Sequence, residues 1–334
     1  MPDTETTTVE DAQAPLSWRE KLRSCIVSAY PAALRTGLWL LLVTVPVSFA
    51  VLLMKQFGLL DLVARLCKPL FVLFGLPGEA AIVFITSCLL NIYSSIAVMT
   101  TLGFAGRTVT ILALMCLISH NLPVECAVQK KTGSPAGRIM LIRIASSFAG
   151  AWALSLLLPA DAAVAPLAAE TGNLTAPAGF THELGIWLVD ISILCVKIMV
   201  LITLLMILQR ILEAFGIIRF LARGLKYPLL FLGLSHNTAF LWIVANSIGL
   251  AYGAGVIIDN VKRGQISRPH TDSLNYHIAV SHSLLEDTLL FVAIGVSVWW
   301  ITLPRIILAG AVVWLNRLYD SFRYRRLTPH KETV

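Results

Sequence analysis

Charge is what this sequence has least of. Only 13% of its 334 residues are Asp, Glu, Lys or Arg, where a soluble domain carries about 25%. Residues 80–106 hold none of the four, and neither do residues 227–258. Uncharged runs of that kind exceed the roughly 18 residues that suggest a membrane span. The scarcity argues against a soluble protein with a large core and for an all-α polytopic membrane protein. Acids are scarcer than bases, and the net charge is +7. The bases sit mainly at the ends of apolar runs, where positive-inside bias and anionic headgroups account for them. Nucleic acid is therefore not an expected partner, whereas membrane lipids are.

Other absences narrow the chemistry. The chain contains no H-E-x-x-H, no G-x-x-x-x-G-K-[ST] and no G-x-S-x-G, so metalloprotease, P-loop motor and elbow-type hydrolase signatures are missing. It is not read as an enzyme; an intramembrane hydrolase is the remaining catalytic alternative. No C-x-x-C occurs among Cys25, Cys67, Cys88, Cys116, Cys126 and Cys195, and these read as small buried hydrophobes. A cleavable signal peptide is lacking too: residues 1–16 are acidic and polar and read as a disordered tail. No cofactor is implied.

What is present is a repeat. Phe57-Gly58-Leu59-Leu60 followed by Ala64-Arg65 returns as Phe215-Gly216-Ile217-Ile218 followed by Ala222-Arg223. Gly75-Leu76 returns as Gly233-Leu234. Each unit ends on an imidazole and a carboxylate: Ser119-His120-Asn121-Leu122-Pro123-Val124-Glu125, then Ser281-His282-Ser283-Leu284-Leu285-Glu286-Asp287. The offset is 158 residues at the first points and 162 at the histidines. The chain thus divides into a tail (1–16), a first repeat (17–160), a linker (161–182), a second repeat (183–316) and a basic tail (317–334).

The linker has no Lys or Arg, which predicts an extracytoplasmic position, with both termini in the cytoplasm. An odd number of crossings must then precede it. Residues 37–54, 80–106 and 144–159 are read as those crossings, with 57–74 amphipathic and interfacial and 108–125 re-entrant at Pro123. The second half repeats this with spans at 184–209, 229–258 and within 288–316, an amphipathic 215–227, and a re-entrant or broken 276–287. Two inverted repeats result. This path leaves Lys262, Arg263 and Arg268 outside, against the charge rule.

Inverted repeats with interrupted helices are a recurring design of secondary transporters, whose substrate sits at the repeat interface. Ionisable groups at membrane depth are functional candidates by default. His120, Glu125, His282, Glu286 and Asp287 are therefore the candidate substrate-binding residues, with Asn91, Tyr93, Asn246 and Tyr252 nearby. Such a cluster can bind a proton, a cation or a polar solute, or can be a structural pair tying a hairpin to its neighbours. His, Glu, Asp and Cys126 are adequate metal ligands, but no structural-zinc spacing is present. Asp190 and Lys197 share a helix face. His236 and Asn237 either cap a helix or line the site.

Gly75-Leu76-Pro77-Gly78-Glu79, Asn91-Ile92-Tyr93, the His120 and His282 motifs and Gly249-Leu250-Ala251-Tyr252-Gly253 resemble the bacterial membrane proteins with nucleoside recognition, or Gate, domains. The resemblance covers nearly all of residues 30–316 as two Gate-type halves. Similar domains occur in concentrative nucleoside transporters, the ferrous-iron permease and spore maturation proteins. The resemblance implies a multi-pass protein of the bacterial inner membrane and a transporter of a nucleoside-like polar solute; the histidines themselves make a proton the candidate coupling ion. A divalent cation, a lipid intermediate or a non-transporting scaffold are the alternatives. Self-association is left open.

Overall fold

A computed structural model describes residues 17–159 and 180–327; for Ala251, Tyr252 and residues 323–327 it describes the backbone alone. The expected tail (1–16), most of the linker and the end of the basic tail lie outside the described residues. Among the described residues every regular element is helical.

The first repeat begins with α1 (Trp18–Gln56), α2 (Leu59–Phe71), α3 (Ala80–Leu89) and α4 (Ile92–Thr101), and ends with α5 (Gly106–Ser119), α6 (Leu122–Lys131) and α7 (Ala136–Leu157). The second begins with α8 (Phe180–Ala214), α9 (Ile217–Leu225), α10 (Pro228–Phe231), α11 (Ala239–Ser247) and α12 (Leu250–Lys262). It ends with α13 (Arg268–Ser281), α14 (Glu286–Val292) and α15 (Val298–Leu327).

The basic lead-in and the first span are one helix. A capping box of Ser17 and Glu20 starts α1, and the chain runs helical through Pro31 and Pro46 for 39 residues. At 1.5 Å per residue that is about 58 Å, nearly twice a hydrocarbon core, so its basic first turns stand clear of the bilayer. Gly58 and Gly216, both at a φ of 68°, turn the chain sharply into α2 and α9. Both helices bury one face, through Leu60 and Ala64 or Ile218 and Ala222, and expose Leu62, Leu66 and Phe220. They are the expected amphipathic helices.

The long uncharged runs are not spans. Residues 80–106 form α3 and α4, ten residues each. About 15 Å of helix cannot cross a core of about 30 Å, and the two halves pack on each other. This segment enters and returns as a hairpin. Residues 229–258 do the same through α11 and α12. The crossing instead falls on the segment read as re-entrant: α5 and α6 form one apolar stretch, Gly106–Lys131, interrupted at His120 and Asn121, with α7 packed along both. α13 and α14 repeat this against α15.

Among the described residues five helical stretches are long and apolar enough to cross a membrane: α1, α5 with α6, α7, α8 and α15. α13 with α14, which matches α5 with α6 in the repeat, is counted as the sixth, which gives three crossings per repeat and keeps the repeats inverted. Exchanging hairpin and crossing also removes the charge conflict. Lys130, Lys131, Lys262, Arg263 and Arg268 now lie on the same side of the bundle as Arg19, Lys21, Arg23, Arg219 and Arg223. Contacts between the ends agree with this path. α1 and α8 pack antiparallel, with Lys55 on Glu183 at 3.2 Å at one end and Arg210 on Ser28 at 3.0 Å at the other. Ser134 bonds Asp272 on the basic side at 2.7 Å, and Arg107 bonds the Ser155 carbonyl on the opposite side at 2.7 Å.

Candidate functional site

Four backbone interruptions meet at one place. In the first hairpin Leu90 and Asn91 leave helical geometry, and the Asn91 side chain caps α4 by accepting from Ser94 N at 2.9 Å. In the second hairpin Gly249 holds that position at a φ of 102°, which a side chain rarely permits. The crossing helices break after His120 and His282, both extended, and restart through Asn121 at a φ of 49° and Ser283 at 52°. These two are the only non-glycine residues with positive φ among the described residues. Each break leans on the neighbouring hairpin: Asn121 N donates to Ser87 O at 2.8 Å, and Ser283 N to Ala245 O at 3.2 Å. Local strain of this kind persists only where the surroundings hold it.

A buried arginine braces each break. Arg143 on α7 donates through Nε to Ile118 O and through Nη2 to His120 O, both at 2.7 Å. Arg305 on α15 does the same to Val280 O, at 3.3 Å, and to His282 O. These carbonyls end α5 and α13 and have no helical donor of their own. Both guanidiniums are fully buried.

The breaks bring the two histidines together. His120 Nε2 and His282 Nε2 are 3.4 Å apart, and the rings tilt by 40° with centroids 4.9 Å apart. Glu125 lies between them, with Oε1 at 3.1 Å from His120 Nε2 and Oε2 at 2.9 Å from His282 Nε2. Arg143 Nη1 holds Oε2 at 2.6 Å. Asp287 Oδ2 is 3.4 Å from His120 Nε2. The repeat maps His120 onto His282, so the pair marks the pseudo-two-fold axis relating the halves. A cavity of about 310 Å³ opens beside it, lined from the hairpin tips by Asn91, Tyr93 and Gly249 and from the breaks by Asn121, Ser283 and Glu286.

Most of the residues chosen from sequence converge here, with corrections. Asp287, not Glu286, is the counterpart of Glu125, because both follow their histidine by five positions. Glu286 instead accepts from Gln209 Nε2 at 3.2 Å, although it still lines the cavity. Asn246 is buried but turns back on its own helix, donating to Trp242 O at 2.8 Å, and does not line the cavity. Tyr252 lies in α12, with its side chain outside what is described. Cys126 is buried, like Cys25 and Cys116, and all six cysteines are unpaired. Asp190 lines a separate cavity of about 390 Å³ between α1, α4 and α8, and Lys197 faces outward from α8. His236 and Asn237 line a third cavity with Arg219, Arg223 and Lys226, away from the centre.

The sequence reading left out both arginines. Arg143 falls just before the span read at 144–159, and Arg305 inside the one within 288–316. Their signal was there: each follows its histidine by 23 residues. His277 was also missed. It is buried on α13, and its Nδ1 accepts from Trp242 Nε1 at 3.0 Å.

No family model matches the chain, and no solved structure matches it. It is similar to the uncharacterized membrane protein YvoD of Bacillus subtilis (strain 168), with 30% identity over 285 residues that cover 85% of this chain and 91% of the relative.

Proposed function

The chain belongs to the family of the Bacillus subtilis membrane protein YvoD, and from the geometry of its central site we propose that it is a secondary transporter of the bacterial inner membrane. It carries a polar solute or ion through the central cavity, without a catalytic step. One observation carries this reading: all four backbone interruptions, two from each inverted repeat, converge on one cavity beside a buried His/carboxylate cluster. Charged groups at bilayer depth cost at least about 2.5–3.5 kcal/mol each on insertion scales. A scaffold would have no need to place so many of them at the edge of an open cavity. Broken helices at a repeat interface are where transporters expose backbone groups and helix ends to their cargo.

Inversion supplies the access cycle. With the basic side in the cytoplasm, the first hairpin enters from outside and the second from inside. Rocking one repeat on the other would expose the same cluster to each side in turn. A proton suits the coupling role because imidazole titrates near neutral pH. The resemblance to Gate-domain proteins supports transport and admits both nucleosides and ferrous iron among related cargoes.

The test is flux into proteoliposomes of the full chain under an imposed pH gradient, with a nucleoside and divalent cations as candidate cargoes. Uptake that needs the gradient and is lost in Glu125→Gln, with the protein still folded, supports the reading. Absence of uptake for both cargo classes by folded protein returns the cluster to a structural role.

A further inference from the structure

We infer that His120, His282 and Asp287 form a binding site for a divalent transition-metal ion. This deepens the transporter proposal, and the ion's role as cargo rests on it.

The first argument is the hydrogen-bond register. His120 Nδ1 lies 3.2 Å from Cys116 O, and His282 Nδ1 lies 2.9 Å from Ile278 O. A carbonyl only accepts, so each Nδ1 carries the proton. In the neutral ring that leaves a lone pair on Nε2, and an Nδ1–H bonded to a carbonyl is how proteins orient a metal-binding imidazole. Both Nε2 atoms point at the same spot. Glu125 and Asp287 bring carboxylate oxygens to it. Acceptors therefore converge on acceptors, and a cation between them resolves the arrangement.

Spacing is the second argument. Two nitrogens bound to one zinc-like ion at about 2.0–2.1 Å in tetrahedral array stand about 3.4 Å apart. The Nε2 atoms are 3.4 Å apart, and Asp287 Oδ2 is 3.4 Å from His120 Nε2. The ligand atoms of His120, His282 and Asp287 all lie within 4.8 Å of one another. The two separations of 3.4 Å match edges of a single coordination polyhedron, and the third ligand pair is close enough for a small adjustment to complete it.

Donor type and charge set the class of ion. Two imidazoles and a carboxylate suit zinc, manganese, iron(II) or cobalt(II) better than calcium or magnesium, which prefer oxygen. Glu125, Glu286 and Asp287 face Arg143 and Arg305 across the cluster, leaving one formal negative charge when the imidazoles are neutral. Three protein ligands leave a position open toward the cavity, as in sites that exchange what they bind rather than lock it in place. Glu125, held by Arg143, is within reach as a fourth ligand.

The experiment uses full-length protein purified in detergent, stripped with a chelator and titrated with Co²⁺ and Zn²⁺. One ion should bind per chain, with the visible absorption of Co²⁺ in a nitrogen and oxygen site, and should raise the Tm of the wild type. His120→Asn and Asp287→Asn should each weaken binding by at least about a hundredfold, the upper end of what losing even an outer-shell partner costs. His236→Gln, whose imidazole lies outside the cluster, should bind as wild type. If one variant does not fold, the other still decides the question. No stoichiometric binding, or binding unchanged in the folded variants, overturns the inference. Flux separates it from the transporter proposal: metal binding without uptake of either divalent cations or a nucleoside keeps the metal site and sinks transport, whereas nucleoside uptake without metal binding does the reverse.

Discussion

Glu125 closes on Arg143 at 2.6 Å, while Asp287, its counterpart across the pseudo-two-fold axis, makes no ion pair with Arg305. The aspartate is one methylene shorter, and Arg305 Nη1 is left buried without a hydrogen-bond partner. The cluster is thus symmetric in its histidines and asymmetric in its carboxylates. One repeat locks its acid to its own brace, and the other turns its acid toward the histidine of the opposite repeat.

That asymmetry predicts unequal mutational costs. Glu125→Gln removes the carboxylate partner of a buried guanidinium, a change worth about 3–5 kcal/mol. Asp287→Asn removes a carboxylate that no guanidinium pairs, and should cost no more than about 1 kcal/mol. Unfolding in detergent without added metal should show Glu125→Gln as clearly the less stable. Equal losses would mean the Arg143 contact does not stabilise the fold.

The braces should not tolerate lysine. Arg143 and Arg305 each span two carbonyls with a planar fork, which an ammonium cannot copy. Arg143→Lys and Arg305→Lys should each lose about 1.5–3 kcal/mol, the worth of a hydrogen bond to a charged group. Hydrogen exchange should localise the loss to the ends of α5 and α13. A loss spread evenly along the chain would contradict the bracing role.

The second hairpin depends on Gly253. A Cβ there would stand 2.9 Å from the Ala245 Cα and 3.0 Å from its Cβ. Gly253→Ala should therefore force α11 and α12 apart at a cost of about 1–3 kcal/mol and weaken whatever the cavity binds. The equivalent position in the first hairpin is Ser95, which bonds its own helix at Asn91 O. Ser95→Ala should cost less than Gly253→Ala, and the reverse order would reject the equivalence of the hairpins.

The path of the chain predicts a labelling pattern. In a background without native cysteines, cysteine at Lys130 or Gln265 should react with an impermeant reagent only after permeabilisation. Cysteine at Ala105 or Ser297 should react on intact cells. Labelling of Gln265→Cys from outside would restore 229–258 as a crossing and remove the second hairpin.

Helical class, duplication and the central histidines were legible because each leaves a local mark: uncharged runs, repeated Phe-Gly turns, paired motifs. The division between hairpin and crossing was not legible, because length and apolarity are the usual sign of a span and 80–106 has both. What makes it a hairpin is the break at Leu90 and Asn91, where one capping side chain restarts the helix. The charge conflict at Lys262, Arg263 and Arg268 was the sequence's own objection to the wrong path. Arg143 and Arg305 stayed hidden because their partners are backbone carbonyls, which composition does not reveal. Glu286 and Asp287 were candidates together; that Asp287 rather than Glu286 approaches His120 follows from the non-helical backbone at Ser283.

The two halves trace nearly the same route in opposite directions, so their shape gives the insertion machinery no reason to prefer one orientation. A few side chains break the tie. α2 carries Asp61, Arg65 and Lys68, whereas its counterpart α9 and the turn after it carry Arg219, Arg223 and Lys226 without an acid. Either half alone, stripped of that bias, would be a protein that inserts both ways round. Joined in one chain, the halves hold a fixed antiparallel pair, and which side is inside is set by a handful of cations rather than by the fold.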